Sequence, residues 1–259
     1  MHKGAATYEL GIVKTMWWRD MLLLYKQRSR WLGVVVQPLL FWFMIGSGMT
    51  SVFRLPGVGG NSSYLEFFYP GILVMILLFT TIFASMSIIE DRQSGFLQGV
   101  LVAPGSRVSL VLGKVAGVTS VAAVQAALFV ALSPVAGLPY AQIHWIALAG
   151  TIVIGCAGLT AMSFVIAWTL NSSQGYHAIM GVVLIPLWVI SGAMFPVPVS
   201  GWLHIVMYFN PMSYIVNGAR LAMSPAGVPM PGISPLLTLV ILTLFAVAMT
   251  ALAARVCRR

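Results

Sequence analysis

From Phe67 to Ile89 the chain carries no charged residue, and the same is true again from Val115 to Ser133. About 20 apolar residues suffice to cross a hydrocarbon core as a helix. Six segments qualify, at roughly 31–53, 67–89, 108–133, 144–168, 178–195 and 233–254. Backbone polar groups find no water in that core, so only helices or closed barrels can span it. These continuous runs lack the alternation of barrel strands. The expected fold is an all-α integral membrane protein, one domain over 1–259, with six transmembrane helices.

Composition agrees. Hydrophobic residues make up 59% of the chain and charged ones 7%, against about 25% charged in soluble domains. The net charge of +9 would suit nucleic acid if the basic residues formed a free patch. They cluster beside the apolar runs instead, where they set topology and meet anionic lipid. Membrane lipids are therefore expected partners and nucleic acid is not. Cys156 sits inside a run and Cys257 near the basic end, a pairing that suits neither a disulfide nor a metal cluster. Residues 1–30 lack the apolar core and cleavage site of a signal peptide.

The Lys and Arg distribution orients the bundle. With both termini cytoplasmic, the inner segments hold twelve of these residues, and the outer ones hold only Arg54 and Arg220. Residues 5–30 read as an amphipathic helix with Leu10, Val13, Trp17, Met21 and Leu24 on one face and Arg19 and Lys26 roughly opposite. Such a helix lies in the cytoplasmic headgroup region; a disordered basic tail is the plainer alternative. In the segment 196–232, prolines 196, 198 and 211 forbid one continuous helix. Apolar Trp202–Met207 and Met212–Val216 then suit a re-entrant hairpin of two short helices on the outer side.

The interval from Glu90 to Lys114 is the most structured of the connections. Glu90, Asp91 and Arg92 precede Ser94-Gly95, and Phe96, Leu97, Val100 and Leu101 then repeat as on a short amphipathic helix. Pro104-Gly105 ends it, and Ser106 can cap the next helix. A helix there either docks into a partner or simply joins two spans.

The order Glu90, Gly95, Leu97, Leu101, Pro104, Ser106-Arg107 and Gly113-Lys114 resembles the cytoplasmic signature of type-2 ABC exporter permeases, the bacterial drug, polysaccharide and nodulation-factor exporters. Asn210-Pro211 with Tyr214 and Arg220 is similar to the family's pattern after the outer hairpin. The resemblance covers nearly the whole chain. It implies a coupling helix near 91–103, within a cytoplasmic segment 90–107, that sits in a groove of a separate ATPase subunit. The coupling residues would be Glu90, Asp91, Arg92, Gly95, Phe96, Leu97, Gln98, Leu101 and Pro104. It also implies a second permease copy, a bacterial inner-membrane location, and ATP and Mg bound by the partner with no cofactor on this chain. The chain departs from the pattern at Gln98, often acidic in the family, and at Phe96, often a small hydroxyl residue. Docking would then rest on apolar Phe96 and Leu97.

Other features narrow the function. No GxxxxGK[ST] phosphate loop occurs, so ATP hydrolysis is expected on another polypeptide and this chain is not an enzyme. His144, His177 and His204 fall at span edges or outside, and no HExxH or paired intramembrane aspartates occur. No Asp or Glu lies deep in a span, which argues against a proton- or sodium-coupled carrier. An ATPase-independent secondary transporter or channel is the alternative. Gln37 and Gln125 are pathway candidates or interhelical hydrogen-bond formers. Gly113/Gly117, Thr151/Gly155 and Ala157/Ala161 allow close helix approach, within one chain or between two. Aromatic and Met-rich Phe41, Trp42, Phe43, Met44, Phe79 and Phe83 suit a hydrophobic, lipid-like or glycan cargo.

Overall fold

The computed structural model describes residues 2–26, 28–49, 63–95, 105–196, 201–223 and 230–258. Nine helices order these residues: α1 (His2–Lys26), α2 (Arg28–Met49), α3 (Tyr64–Gln93), α4 (Arg107–Val130), α5 (Trp145–Thr169), α6 (Ser173–Ala193), α7 (Trp202–Phe209), α8 (Pro211–Met223) and α9 (Pro235–Val256). Two short 3₁₀ turns, Ser133–Ala136 and Tyr140–Gln142, link α4 to α5. Among the described residues there is no strand.

The chain is thus all-helical, and α3, α4, α5, α6 and α9 are long and apolar enough to cross a membrane. The first expected span corresponds to α2, whose apolar stretch Val36–Met49 is shorter. The fifth, expected at 178–195, begins earlier, at Ser173, because Ser172 accepts from the Gly175 amide (3.3 Å) and caps an added turn.

Burial separates the spans in a way that composition does not. Every residue of α3 from Phe67 to Ile82 is buried, as expected for a helix apolar on all sides at the centre of a bundle. It packs on α2, α4, α5 and α8. By contrast, only 33% of the apolar window of α6 and 22% of that of α9 are buried within the chain, so these two lie at the periphery.

Small residues set close approaches between helices of the chain. A Cβ on Gly113 would come 2.7 Å from Met16, and one on Gly117 would come 2.6 Å from the Asp20 carboxylate. The Gly113/Gly117 pair is therefore filled by α1. On α5, Gly155 meets Ile215 of α8, Thr151 meets Gly218, and Gly158 meets Phe245 of α9. Where α3 crosses α6, a Cβ on Gly71 would lie 2.6 Å from the Ala193 carbonyl, and the Trp188 indole donates to the Gly71 carbonyl at 2.9 Å.

The docked face of α1 differs from the expected stripe. Ile12, Val13, Met16, Trp17 and Asp20 turn toward α4, and Trp17 donates to Ser120 at 3.0 Å. Leu10 is 69% exposed, and Trp18 and Leu22 are exposed as well. Apolarity alone would turn Leu10 inward. Polar partners on α4 instead draw the acidic residues of α1 inward, which rotates the face by about one position.

Candidate functional site

One end of the bundle, where α3 ends and α4 begins, gathers most of the acidic groups in the chain. Only five Asp and Glu residues exist, and Glu9, Asp20, Glu90 and Asp91 all belong to this end. Helix α3 continues through Gln93. Glu90, Asp91 and Arg92 therefore form its last turn and do not begin a separate coupling helix at 91. The helix ends at Ser94, and Gly95 follows with φ +76°, a left-handed conformation that glycine adopts without strain.

Arg92 closes the neighbouring helix end. It donates to the carbonyls of Trp168 (2.8 Å) and Leu170 (3.3 Å) and to Asn171 Oδ1 (3.0 Å), and it lies over the Trp168 ring at 5.2 Å. A cation there satisfies the last carbonyls of α5 and complements its dipole. Asp91 instead faces α1, where Arg19 pairs with it, and both side chains stay partly exposed. Glu90 is exposed.

On the far side of the interval, Ser106 caps α4 as expected and accepts from the Ser109 amide at 3.1 Å. The Glu9 carboxylate of α1 reaches the same cap. It accepts from the Ser106 amide (3.0 Å), the Ser106 hydroxyl (2.8 Å) and the Ser109 hydroxyl. The Ser109 and Ser106 hydroxyls hold the Glu9 carboxyl below the usual carboxylate range. A carboxylate at a helix N-terminus also meets the positive end of the dipole. Beside this cap, Arg107 meets Cys257, whose thiol burial pushes up and Arg107 partly lowers again.

Two turns into α4, Lys114 is 3% exposed and donates to Asp20 Oδ1 (2.9 Å) and to Ser87 of α3 (3.0 Å). This buried ion pair joins three helices. Gly113 and Gly117, on the same face, leave room for α1 to approach that closely.

Of the residues singled out in the sequence, Glu90, Asp91, Arg92, Gly95, Arg107, Gly113 and Lys114 thus meet at one end of the bundle. Phe96, Leu97, Gln98, Leu101 and Pro104 lie outside the described residues. Glu9, Asp20 and Ser87 had not been picked out. The scarcity of acids was the available signal, because each carboxylate in so basic and apolar a chain needs a partner.

Asn210, Pro211, Tyr214 and Arg220 gather elsewhere, around α8. The Asn210 side chain donates to the Leu187 carbonyl (2.6 Å) and accepts from the Met212 amide (3.0 Å), which starts α8 after the α7 turn. Tyr214 donates to the Tyr208 carbonyl at 2.8 Å. Arg220, 3% exposed, donates to the Gly192 carbonyl at 2.9 Å and stacks 4.3 Å from the centre of the Phe67 ring. Gly192 has φ +83° within a π-helical turn at the end of α6, and such breaks turn carbonyls away from the helix ladder.

The remaining candidates separate into core and surface. Gln125 is buried and accepts from the Thr80 hydroxyl of α3, whereas Gln37 is exposed. Trp42 is buried with its indole on the Leu65 carbonyl (3.0 Å), and Phe79 is buried too, while Phe41, Phe43 and Met44 are exposed.

Together these features describe a helical membrane protein with one junction of paired charges where α1, α3 and α4 meet, and a second, hydrogen-bonded junction around α8 that holds the buried Arg220. The sequence profile of the ABC-2 type transporter family matches residues 12–224, and the chain belongs to that family. It is 29% identical over 194 residues to "Putative transport permease ycf38" of Cyanophora paradoxa, an alignment covering 73% of this chain and 66% of that relative, just under two thirds of its length. Proteins with the same description from Porphyra purpurea and Pyropia yezoensis are 26% identical over 78% and 80% of this chain and 70% and 72% of their own lengths. The chain is an integral membrane protein of the ABC permease type.

Proposed function

We propose that this chain is the membrane subunit of an ATP-driven exporter, in which a separate ATPase subunit hydrolyses ATP with Mg and moves the Glu90–Arg107 segment. The observation that carries the reading is the charged junction. Three helices and the α5 terminus fix both ends of one short segment, an arrangement suited to passing force from a partner into the spans. Family membership and the lack of a phosphate loop of its own support the same reading.

The interval Phe96–Pro104 would contact the ATPase, with Phe96 and Leu97 as apolar anchors. Both termini would be cytoplasmic, in a bacterial inner membrane, with α1 in the headgroup layer and the α7–α8 pair re-entering from outside. The exposed face of α1 (Leu10, Trp18 and Leu22) and the buried polar side chains of α8 support those placements. Two copies of the chain would form the pathway, because closed twofold pairs are the commonest homo-oligomers. The apolar faces of α2, α6 and α9 would meet lipid or the second copy. The cargo would be hydrophobic, lipid-like or a glycan.

The test is affinity purification of the tagged chain from its native membrane. A nucleotide-binding subunit should copurify, and vesicles holding both should consume ATP during transport. Transport by the chain alone down an ion gradient would replace this reading with a secondary carrier.

A further inference from the structure

The outer end offers a small apolar cavity between α6 and α7, and the bundle core holds a series of buried hydroxyls. Neither points to one ligand. The contacts of α1 carry further, because they fall at both ends of a single segment.

Glu9 binds Ser106 and Ser109 at the start of α4, and Arg19 binds Asp91 at the end of α3. Ten residues of one helix separate Glu9 from Arg19, which at 1.5 Å per residue is about 15 Å. In sequence, Asp91 and Ser106 stand fifteen positions apart. The helix that bridges them holds a fixed length. Between the two contacts Val13 and Met16 of α1 pack on Gly113, and just beyond Arg19 the Asp20 carboxylate meets Gly117 and pairs with buried Lys114.

We propose that α1 is a two-point strut, with Glu9 and Arg19 as positioning residues that fix the spacing between the end of α3 and the start of α4. Its consequence for coupling rests on the exporter reading above. A partner that pushes on either helix end would then move both together, with α1. The two contacts differ from the Asp20–Lys114 pair in one useful way: they lie at the solvent edge, where ion pairs contribute little to stability. Cutting them should loosen the geometry without unfolding the bundle.

The experiment places nitroxide labels at Ser94→Cys and Val108→Cys, with Cys156→Ala and Cys257→Ala removing the native thiols, in the full chain reconstituted in phospholipid nanodiscs. Wild-type contacts should give one narrow distance distribution. Glu9→Ala or Arg19→Ala should broaden it with little change in the unfolding midpoint. Arg19→Lys should keep it narrow, and Arg19→Asp with Asp91→Arg should restore it. In the complex with the copurified ATPase, the broadened variants should lose several-fold of the change in ATP hydrolysis rate that the permease imposes on that subunit. Distributions as narrow as wild type in both alanine variants would overturn the strut. Broadened distances with an unchanged effect on hydrolysis would overturn its role in coupling. If no ATPase copurifies with the wild-type chain, the exporter reading fails, and the distances still decide the strut.

Discussion

Lys114 and Arg220 are both buried cations, one where α1, α3 and α4 meet and one beside the α7–α8 pair, and they hold different kinds of partner. Lys114 meets a carboxylate from a different helix and a serine from a third. Arg220 meets a backbone carbonyl and an aromatic face. A carboxylate partner can be exchanged for another as helices shift, and removing it leaves a buried charge. A backbone carbonyl released by a π-helical turn is fixed by the fold, and a planar guanidinium can stack while it donates. The α1–α3–α4 end is thus assembled from charge pairs between separate helices. The α8 end is tied to α6 by hydrogen bonds onto backbone carbonyls and to α3 by the stack of Arg220 on Phe67.

The largest expected effect breaks the charge pair. Asp20→Ala should destabilise the bundle by about 3–5 kcal/mol, because Lys114 stays buried without its carboxylate. Asp20→Leu combined with Lys114→Met should recover most of that loss in thermal unfolding. A double variant as unstable as the single would show that shape, and not charge, holds this end together.

Next in size is steric blockade of the same contact. Gly117→Val would press a branched side chain against Asp20, and overpacking of this kind costs about 1–3 kcal/mol. Limited proteolysis should cut α1 faster in this variant than in wild type; unchanged protection would mean that α1 docks without the glycine gap.

The contrasting end should respond to geometry more than to charge. Arg220→Lys keeps the charge but loses the planar stack on Phe67, a change worth about 1–2 kcal/mol in a desolvated site. The comparison fails if Lys at 220 melts at the wild-type temperature, because a point charge would then suffice there as well.

The smallest effect is set by acid. The folded-state Glu9 carboxyl lies below its ordinary value, so its contribution is fully present above the unfolded value of about 4.3. It is lost as pH falls through the lower folded value. The difference in α1 protease protection between wild type and Glu9→Gln should therefore be full at neutral pH and close only in acid below that range. Closure near pH 7 would contradict the hydrogen-bonded carboxylate.

Much of the fold was legible in the sequence because the bilayer limits the choices. While the first of the six apolar runs of span length gives only the shorter apolar stretch Val36–Met49, the other five and the Ser106 cap follow from local chemistry and reappear in the structure. The same holds for the two helices divided at Asn210-Pro211. The resemblance carried by Gly113-Lys114 and Asn210-Pro211 matched the family that the chain belongs to.

Tertiary structure alone decided which spans lie at the centre and which face of α1 docks. It also decided that Glu90–Arg92 finish α3, and that Gly113/Gly117 accept a helix of the same chain. The physical reason is that all spans are apolar on every side, so hydropathy cannot rank their burial. The choice passes to sparse contacts between residues far apart in sequence. Asp20 and Lys114 are separated by 94 positions, and Glu9 and Ser109 by 100. No local pattern links such residues; only packing α1 along α4 brings them together.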